Sequence, residues 1–182
     1  MRPNDRRGFT MLEMLVVLAI AAAVATAAAP SFNALRARIA LDAASHAFLT
    51  TLHQARGEAM ARQQRVTVAP MDGGDWRSGW MTFVDDNLNG RIDFNEVELT
   101  RHPALASFIV ARTRLTAGEL PSVSFDASGF ARSGAWQWLS GSVMFAANGD
   151  RRCIVVNAFG RPRQLTHADA GACAAAALHQ RR

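Results

Sequence analysis

The segment Arg6-Arg7-Gly8-Phe9-Thr10-Met11-Leu12-Glu13 leads into an apolar run that continues to Ala29. As a helix, residues 9–29 would be about 32 Å long at about 1.5 Å per residue, which is enough to cross the hydrocarbon core of a bilayer. Glu13 is the one charged residue in this run. A carboxylate in a membrane span costs roughly 2–3 kcal/mol or more, so Glu13 indicates a partner from outside its own helix.

Two simpler interpretations explain this segment less well. In an ordinary secretory signal peptide, the arginines before Gly8 would precede an apolar core and a cleavage site of small residues, either Ala25-Thr26-Ala27 or Ala27-Ala28-Ala29. Pro30 directly after the second site argues against this interpretation, and Glu13 inside the apolar core argues against it more strongly. A plain membrane anchor that is never cut leaves Glu13 unexplained.

The same residues resemble the class III signal of type IV pilins and pseudopilins. In that signal a short basic leader ends in Gly and is followed by Phe, Thr and three more residues that include Glu. The resemblance implies that prepilin peptidase cleaves after Gly8 and methylates the new amine of Phe9. It also implies that Glu13 pairs with the amine of the adjacent subunit during assembly. Residues 1–8 are then the leader, and residues 9–29 the transmembrane and assembly helix.

After Pro30 the apolar residues recur at spacings of three and four, which predicts an amphipathic continuation of the helix over residues 30–65. These apolar residues are Phe32, Leu35 and Ile39, then Phe48, Leu52, Ala55 and Ala59. Pro30 itself is predicted to kink the helix.

Residues 66–182 change to short β-branched or period-two runs, separated by clusters of Gly, Asp, Asn and Pro. The predicted strands are 66–68, 80–84, 97–100, 108–115, 123–125, 142–145 and 153–159. One long helix followed by several short strands predicts an α+β fold in which the helix packs on antiparallel β-sheet. This is also the type IV pilin fold that the N-terminal resemblance implies.

The charge of the chain is unevenly distributed. Residues 1–130 contain 13 Arg and 13 acidic residues, whereas residues 131–182 contain 7 Arg and 2 acidic residues, so the net charge of +5 lies in the last part. This asymmetry predicts that the C-terminal part meets a polyanion or an acidic partner, unless it is simply a solvated basic surface.

The chain has 2 cysteines, Cys153 and Cys173. After an export signal, in an oxidising periplasm, the pair is predicted to form one disulfide. The closed loop of about 20 residues would contribute about 3 kcal/mol in the chain-entropy model. With only His167 between them, the two cysteines make a poor metal site.

The stretch Gly160-Arg161-Pro162-Arg163 ends a strand-like run and is the strongest candidate for binding an anion. Arg161 and Arg163 are two residues apart, so in an extended segment they point the same way. Two guanidinium groups on a stiff loop suit successive phosphates, and Gly160 lets the backbone come close. Two further basic residues near this loop in sequence are Arg151 and Arg152.

Over essentially its whole length the chain resembles FimT-like minor pilins of the GspH/FimT family. The shared features are the prepilin signal, Gly79-Trp80-Met81-Thr82-Phe83-Val84-Asp85, Asn89-Gly90, His102-Pro103-Ala104-Leu105 and a C-terminal element that looks like the family's Gly-Arg-x-Arg. In FimT-like proteins this element implies non-specific DNA binding during natural transformation. The residues expected to carry it here are Gly160, Arg161, Arg163, Arg151 and Arg152.

The resemblance also implies the partners and the location of the protein. Other minor and major pilins and prepilin peptidase are the expected protein partners. The N-terminal helix is expected to lie in the inner membrane. The β-rich globular head, residues 66–182, is expected in the periplasm until assembly into a pilus at the cell surface. The alternative is a structural or initiation subunit of the pilus tip, or a GspH-like pseudopilin of type II secretion, without DNA binding.

Residues 85–96 match the spacing of an EF-hand calcium loop. The candidate ligands are Asp85, Asn87, Asn89, Asp93 and Glu96. Strand-like rather than helical segments flank this loop, so the favoured interpretation is a turn-rich connection between strands, with Asn89-Gly90 at positive φ.

The remaining candidates for chemistry are the tryptophans and histidines. Base stacking by Trp76, Trp80, Trp136 or Trp138 is weighed against core or interface packing, which is favoured for each. The histidines form no Ser-His-Asp, Cys-His or metal-ligand constellation in the sequence. The sequence therefore predicts a protein that is not an enzyme and has no cofactor.

Overall fold

The computed structural model describes residues 10–116, 121–133 and 137–165 together with Cys173, and within the helix it leaves out the side chains of residues 25–31. The chain divides into two compact units, residues up to Arg36 and residues from Ala37 onward. One helix, α1 (Met11–Arg62), belongs to both. The domain boundaries expected at residues 8, 29 and 65 stay predictions.

The start of α1 is fixed by a capping interaction. The backbone N–H of Glu13 donates to Oγ1 of Thr10 at 3.2 Å, as expected where Ser or Thr stands three residues before Glu. Apolar side chains of the N-terminal unit are exposed, including Met11 at 85% and Leu18 at 64%. Helical structure is continuous through Pro30.

From Ala37 onward, α1 buries a regular stripe of side chains. The buried residues are Ala37, Leu41, Ala44, Phe48, Leu52, Ala55 and Ala59. The prediction is right for the last four and wrong for Phe32, Leu35 and Ile39, which are 53–61% exposed. Ala37, Leu41 and Ala44 continue the spacing of three and four that leads to Phe48, whereas Ile39 is nine residues before Phe48 and so lies on the opposite side of the helix. The helix ends at Arg62, since Gln63 has a φ of 58°.

The described part of the second unit contains two antiparallel sheets. The six-stranded sheet has the order β3-β2-β1-β5-β6-β7, and the four-stranded sheet has the order β10-β9-β8-β4. The strands are β1 (Val66–Pro70), β2 (Trp80–Val84), β3 (Glu98–His102), β4 (Val110–Leu115), β5 (Val123–Phe125), β6 (Ala131–Ser133), β7 (Gln137–Trp138), β8 (Gly141–Ala147), β9 (Asp150–Val156) and β10 (Pro162–Gln164). Each of the seven predicted runs overlaps a strand, and the α+β pilin-type fold is confirmed. The strands that the sequence missed, β6, β7 and β10, are only two or three residues long.

Phe48 of α1 lies where the helix meets both sheets. Its ring contacts Trp76 at 4.8 Å, Trp80 at 5.2 Å and Phe145 of β8 at 5.4 Å, measured between ring centroids. Trp76 and Trp80 are each 1% exposed, so the packing interpretation of these two tryptophans is confirmed. Trp136 lies outside the described residues.

The connection between β2 and β3 is a turn-rich loop, as predicted, but its positive φ angles fall on Leu88 (63°) and Gly90 (75°) rather than on Asn89. The carboxylate of Asp85 is 1% exposed and accepts hydrogen bonds from the Thr67 hydroxyl and from the N–H groups of Asn89 and Gly90. Buried carboxylates need such donors, so Asp85 is the anchor of this loop.

Candidate nucleic-acid interface

The predicted basic loop is a β-hairpin. β9 and β10 pair antiparallel, with Pro162 opposite Val156 and Arg163 opposite Val155, so Arg163 belongs to a strand rather than to a loop. In the connection, the backbone N–H of Gly160 donates to the Asn157 carbonyl at 2.8 Å, and the N–H of Arg161 to the Asn157 side chain at 3.0 Å. Pro162 is buried, whereas Arg161 and Arg163 are both exposed.

The register of the four-stranded sheet places further arginines on the same face as Arg163. Arg163 is opposite Val155, Val155 is opposite Ser142, and Ser142 is opposite Arg114. Residues directly opposite in antiparallel strands share a face, and strands lie about 4.8 Å apart, so the backbones of Arg163 and Arg114 are about 14 Å apart on one surface.

Two more arginines complete this surface, because side chains two residues apart in a strand lie on the same face. Arg112 is two residues before Arg114, and Arg151 is four residues before Val155. All are exposed. We call this surface the basic face; it consists of Arg112, Arg114, Arg151 and Arg163.

The basic face carries unbalanced positive charge within the described part of the chain. In β4, β8, β9 and β10 the sole acidic residue is Asp150. The ion pairs observed among described residues involve other arginines, namely Arg62, Arg77, Arg101, Arg132 and Arg152. The guanidinium groups of the basic face are therefore available to an external anion, as far as the described residues go.

Arg112 and Arg114 were not among the residues expected from the sequence. A signal was present, because Arg112 and Arg114 are two residues apart within the predicted strand 108–115 and would lie on one face of it. The pairing of β4 with β8, which brings these residues beside β9, is a long-range contact that the sequence does not reveal.

Arg152 has a different role from the one expected. Its side chain is 10% exposed, and its Nε donates to Oδ1 of Asp42 on α1 at 2.6 Å. Its neighbours along the strand alternate between faces, so Arg151 is exposed and Arg152 points to the helix side. Arg152, which was expected in the DNA-binding group, thus connects β9 to α1 and is not part of the basic face.

Gly160 also acts differently from the prediction. It is buried with a φ of 69°, and a Cβ atom at this position would overlap the carbonyl oxygen of Gly129. Its small size therefore lets the β9–β10 connection pack on the β5–β6 turn, rather than letting a ligand approach. The N–H of Ala131 donates to the Ala158 carbonyl at 3.1 Å across the same contact.

The predicted disulfide joins Cys153 of β9 to Cys173, with the two Cα atoms 6.3 Å apart. Cys153 is on the side of the sheet that carries the basic face, since Cys153 lies two residues after Arg151. Both cysteines are buried with Met144, so Cys173 covers the middle of this face. The arginines of the basic face surround that covered centre.

Exposed aromatic rings lie next to the β9–β10 connection. Phe130, in the β5–β6 turn, is 5.3 Å from Trp138 and 6.0 Å from Phe159 between ring centroids. Trp138 is 52% and Phe159 63% exposed, so the packing interpretation does not describe Trp138 fully. We call Phe130, Trp138 and Phe159 the aromatic cluster.

The ion pair between Arg132 and Asp126 contacts this aromatic cluster. Arg132 lies over the Trp138 ring at 3.8 Å, and its Nε donates to Oδ2 of Asp126 at 2.7 Å. Burial raises the pKa of Asp126, but the hydrogen bonds from Arg132 and from the N–H groups of Phe130 and Ser128 outweigh that effect. The pKa of Asp126 therefore lies below its usual value, and the pair is charged at neutral pH.

The candidate calcium loop gains no support. Asn87 and Asn89 donate their side-chain N–H groups to Oδ2 of Asp93 at 2.6 and 2.7 Å, and Glu96 accepts from the N–H groups of Asp86 and Asp93. Among the residues that the structure describes, no group of three or more His, Cys, Asp or Glu side chains is placed to hold a metal ion.

A long helix packed by its C-terminal half against antiparallel sheets defines a pilin-type subunit, and comparisons with known proteins agree. Residues 44–160 match the family described as Type II transport protein GspH, and residues 3–29 match the prokaryotic N-terminal methylation motif. The chain is 31% identical over 163 residues to the pilin-like protein PilA1 of Thermus thermophilus, covering 87% of this chain and 97% of that protein.

The fold is also similar to the minor type IV pilin FimU of Pseudomonas aeruginosa. One crystal structure of FimU superposes with a TM-score of 0.57 at 19% identity, covering 72% of this chain and 92% of FimU. A second crystal form gives 0.52 at 16% identity, covering 70% and 94%.

The chain belongs to the GspH family. It is a minor type IV pilin or pseudopilin, a structural subunit that associates with other pilins in a pilus or pseudopilus. The methylation motif, which includes Glu13, is that of membrane-anchored proteins that assemble into such fibres. Gly8 and Phe9 lie outside the described residues. In the part of the chain that the structure describes, no helix combines the length and hydropathy of a membrane span.

Proposed function

We propose that this protein is a FimT-like minor pilin that binds DNA without sequence specificity during natural transformation. The observation that carries the proposal is the basic face, on which register places Arg112, Arg114, Arg151 and Arg163 together, with Arg161 in the adjoining connection. Arginine forks bind phosphate oxygens, which hold DNA without reading its bases.

The dimensions of the basic face suit a nucleic-acid backbone. The backbones of Arg163 and Arg114 are about 14 Å apart, and one strand of a DNA duplex presents a phosphate about every 3.4 Å along the helix axis. Several phosphates therefore lie within reach of these arginines at once. A single subunit with four or five contacts binds weakly at physiological salt, and several subunits on one fibre would raise the avidity.

The N-terminal part of the proposal follows the class III signal. Prepilin peptidase cleaves after Gly8 and methylates Phe9, and residues 9–29 anchor the subunit in the inner membrane with the head in the periplasm. Glu13 then pairs with the new amine of a neighbouring pilin. Pilus assembly carries the head to the cell surface, and retraction draws bound DNA inward.

A salt titration of DNA binding by the full chain in a non-ionic detergent tests the proposal. Each neutralised phosphate contributes roughly −0.9 to the slope of log K against log salt. The double variant Arg161→Ala, Arg163→Ala is expected to bind more weakly and to flatten the slope by about 1.8.

The matched control is Arg77→Ala with Arg101→Ala, which removes the same charge from exposed ion pairs outside the four-stranded sheet. This control is expected to leave the slope of log K against log salt unchanged. Absence of binding by the unmodified protein at low salt would contradict the proposal. The second candidate, a structural pilus-tip subunit or a secretion pseudopilin, would then be preferred, and the GspH family match over residues 44–160 supports it.

A further inference from the structure

The aromatic cluster offers a continuous apolar surface to solvent. Phe159 and Trp138 are 63% and 52% exposed, and Phe130 lies between them, within 6.0 Å of both ring centroids. Two large aromatic residues more than half exposed and joined through a third are unusual for a surface without a ligand, because each carries a large apolar area into water.

The cluster is held in place before any ligand arrives. The Ala131 N–H bonds to the Ala158 carbonyl, and Gly160 packs against Gly129, so the connection that carries Phe159 is fixed to the turn that carries Phe130. Arg132, paired with Asp126, lies over Trp138. A rigid aromatic surface loses little conformational freedom when it binds a flat ring.

Positive charge adjoins these rings. Phe159 is two residues before Arg161 and four before Arg163, both of which are exposed. A partner that only buries apolar area would leave these guanidinium groups unmatched, whereas a nucleic acid brings phosphates to them. In a duplex the base faces are stacked on one another and inaccessible, while an unpaired base presents both faces. Aromatic rings beside a basic groove are the arrangement that binds single strands.

We propose that the aromatic cluster stacks on unpaired bases while Arg161 and the basic face bind the flanking phosphates, so that the site prefers single-stranded DNA to duplex DNA. This inference rests on the proposed DNA binding and specifies its substrate. Every base has a π face, so the preference is for unpaired nucleotides and not for a sequence.

The test uses the full chain in detergent and two fluorescent probes, an oligothymidine and a duplex of equal length. Binding is followed by anisotropy at several salt concentrations. The unmodified protein is expected to bind the single strand more tightly. Phe159→Leu and Trp138→Leu are each expected to lower the ratio of single-strand to duplex affinity at least about fivefold, the lower end of what one stacked base supplies. Phe94→Leu, at a fully exposed residue of the β2–β3 loop, is the matched control and is expected to keep the ratio.

Tryptophan fluorescence gives a second measurement. Trp76 and Trp80 are buried, so quenching by oligothymidine that is lost in Trp138→Leu reports stacking at the cluster. Circular dichroism and melting confirm that the leucine variants fold. Equal affinity for the two probes, or an unchanged ratio in both leucine variants, overturns this inference alone and assigns the cluster to contact with another pilin. Absence of binding to either probe by the unmodified protein overturns the proposed function, and the inference with it.

Discussion

Arg151 and Arg152 are neighbours in β9 but have different roles, because successive residues of a strand lie on opposite faces of the sheet. Arg152 pairs with Asp42 on α1 at 2.6 Å, whereas Arg151 is exposed on the basic face. Arg152→Ala is expected to lower the free energy of unfolding by about 1–3 kcal/mol, since the partner loses a charge-assisted hydrogen bond. Thermal and urea unfolding measure this effect.

Arg151→Ala is the matched control for that change and is expected to stay within about 0.5 kcal/mol of the unmodified protein, as surface substitutions do. It is also expected to weaken DNA binding. The slope of log K against log salt is expected to become less steep by about 0.9, the contribution of one phosphate contact. An equal loss of stability in both variants would contradict the assignment of Arg152 to the core side of the sheet.

The Asp126–Arg132 pair makes stability depend on pH in the acid range. Because the pKa of Asp126 in the folded protein lies below that in the unfolded chain, about 3.9, the unfolded state binds more protons between the two values. The stabilisation is fully present above about pH 4 and is lost as the pH falls through the lower, folded value. We expect Asp126→Asn to reduce the loss of stability between pH 5 and 2, measured by urea unfolding at a series of pH values. The same acid dependence in both proteins would show that other carboxylates cause it.

The packing of α1 distinguishes two phenylalanines of the same helix. Phe48 is fully buried against Trp76, Trp80 and Phe145, whereas Phe32 is 61% exposed. Phe48→Ala is expected to destabilise the head by about 3–5 kcal/mol through a cavity between the two sheets. Phe32→Ala is expected to leave melting of the isolated subunit unchanged. Comparable destabilisation by both changes, measured by thermal unfolding in detergent, would contradict the observed face of the helix.

These two residues also show what a sequence can predict about such a helix. The spacing of apolar residues reveals the helix and its length, and Thr10 and Glu13 mark its start. The buried face follows from the same spacing when it is traced back from Phe48 through Ala44 and Ala37. Ile39 is nine residues before Phe48, which breaks that spacing, and large apolar side chains alone therefore indicated the wrong stripe.

For the head as a whole, the sequence predicted that positive charge lies in the C-terminal part, but it did not predict which arginines share a surface. Arg161 and Arg163 were found because they are two residues apart in one short segment. Arg112 and Arg114 were missed because their proximity to β9 depends on the pairing of β4 with β8, between residues about 30 positions apart. The role of Gly160 was mistaken for the same reason, since Gly129 contacts it from a distant turn. Both points depend on contacts between segments far apart in the chain, which local spacing does not reveal.

Assembly of the whole subunit is expected to depend on Glu13. Apolar residues around it, such as Leu12 at 72% and Leu15 at 62%, are exposed in the single chain and need partners. The contact of Thr10 with Glu13 uses the backbone N–H of Glu13, so the carboxylate is not needed for that cap. A carboxylate among apolar side chains requires a cation, and the amine of a neighbouring Phe9 is the one that the proposed processing creates.

We therefore expect Glu13→Gln to fold and to bind DNA in detergent like the unmodified protein, but to enter fibres at least about tenfold less, because an amide lacks the charge that pairs with the amine. Immunoblots of sheared surface fibres from cells that produce each variant measure incorporation. Glu58→Gln is the matched control, since it removes an exposed carboxylate of the same helix whose ion pair with Arg62 contributes little. A normal fibre content for Glu13→Gln would mean that apolar packing alone docks the helix, and the pairing of Glu13 with the amine would have to be abandoned.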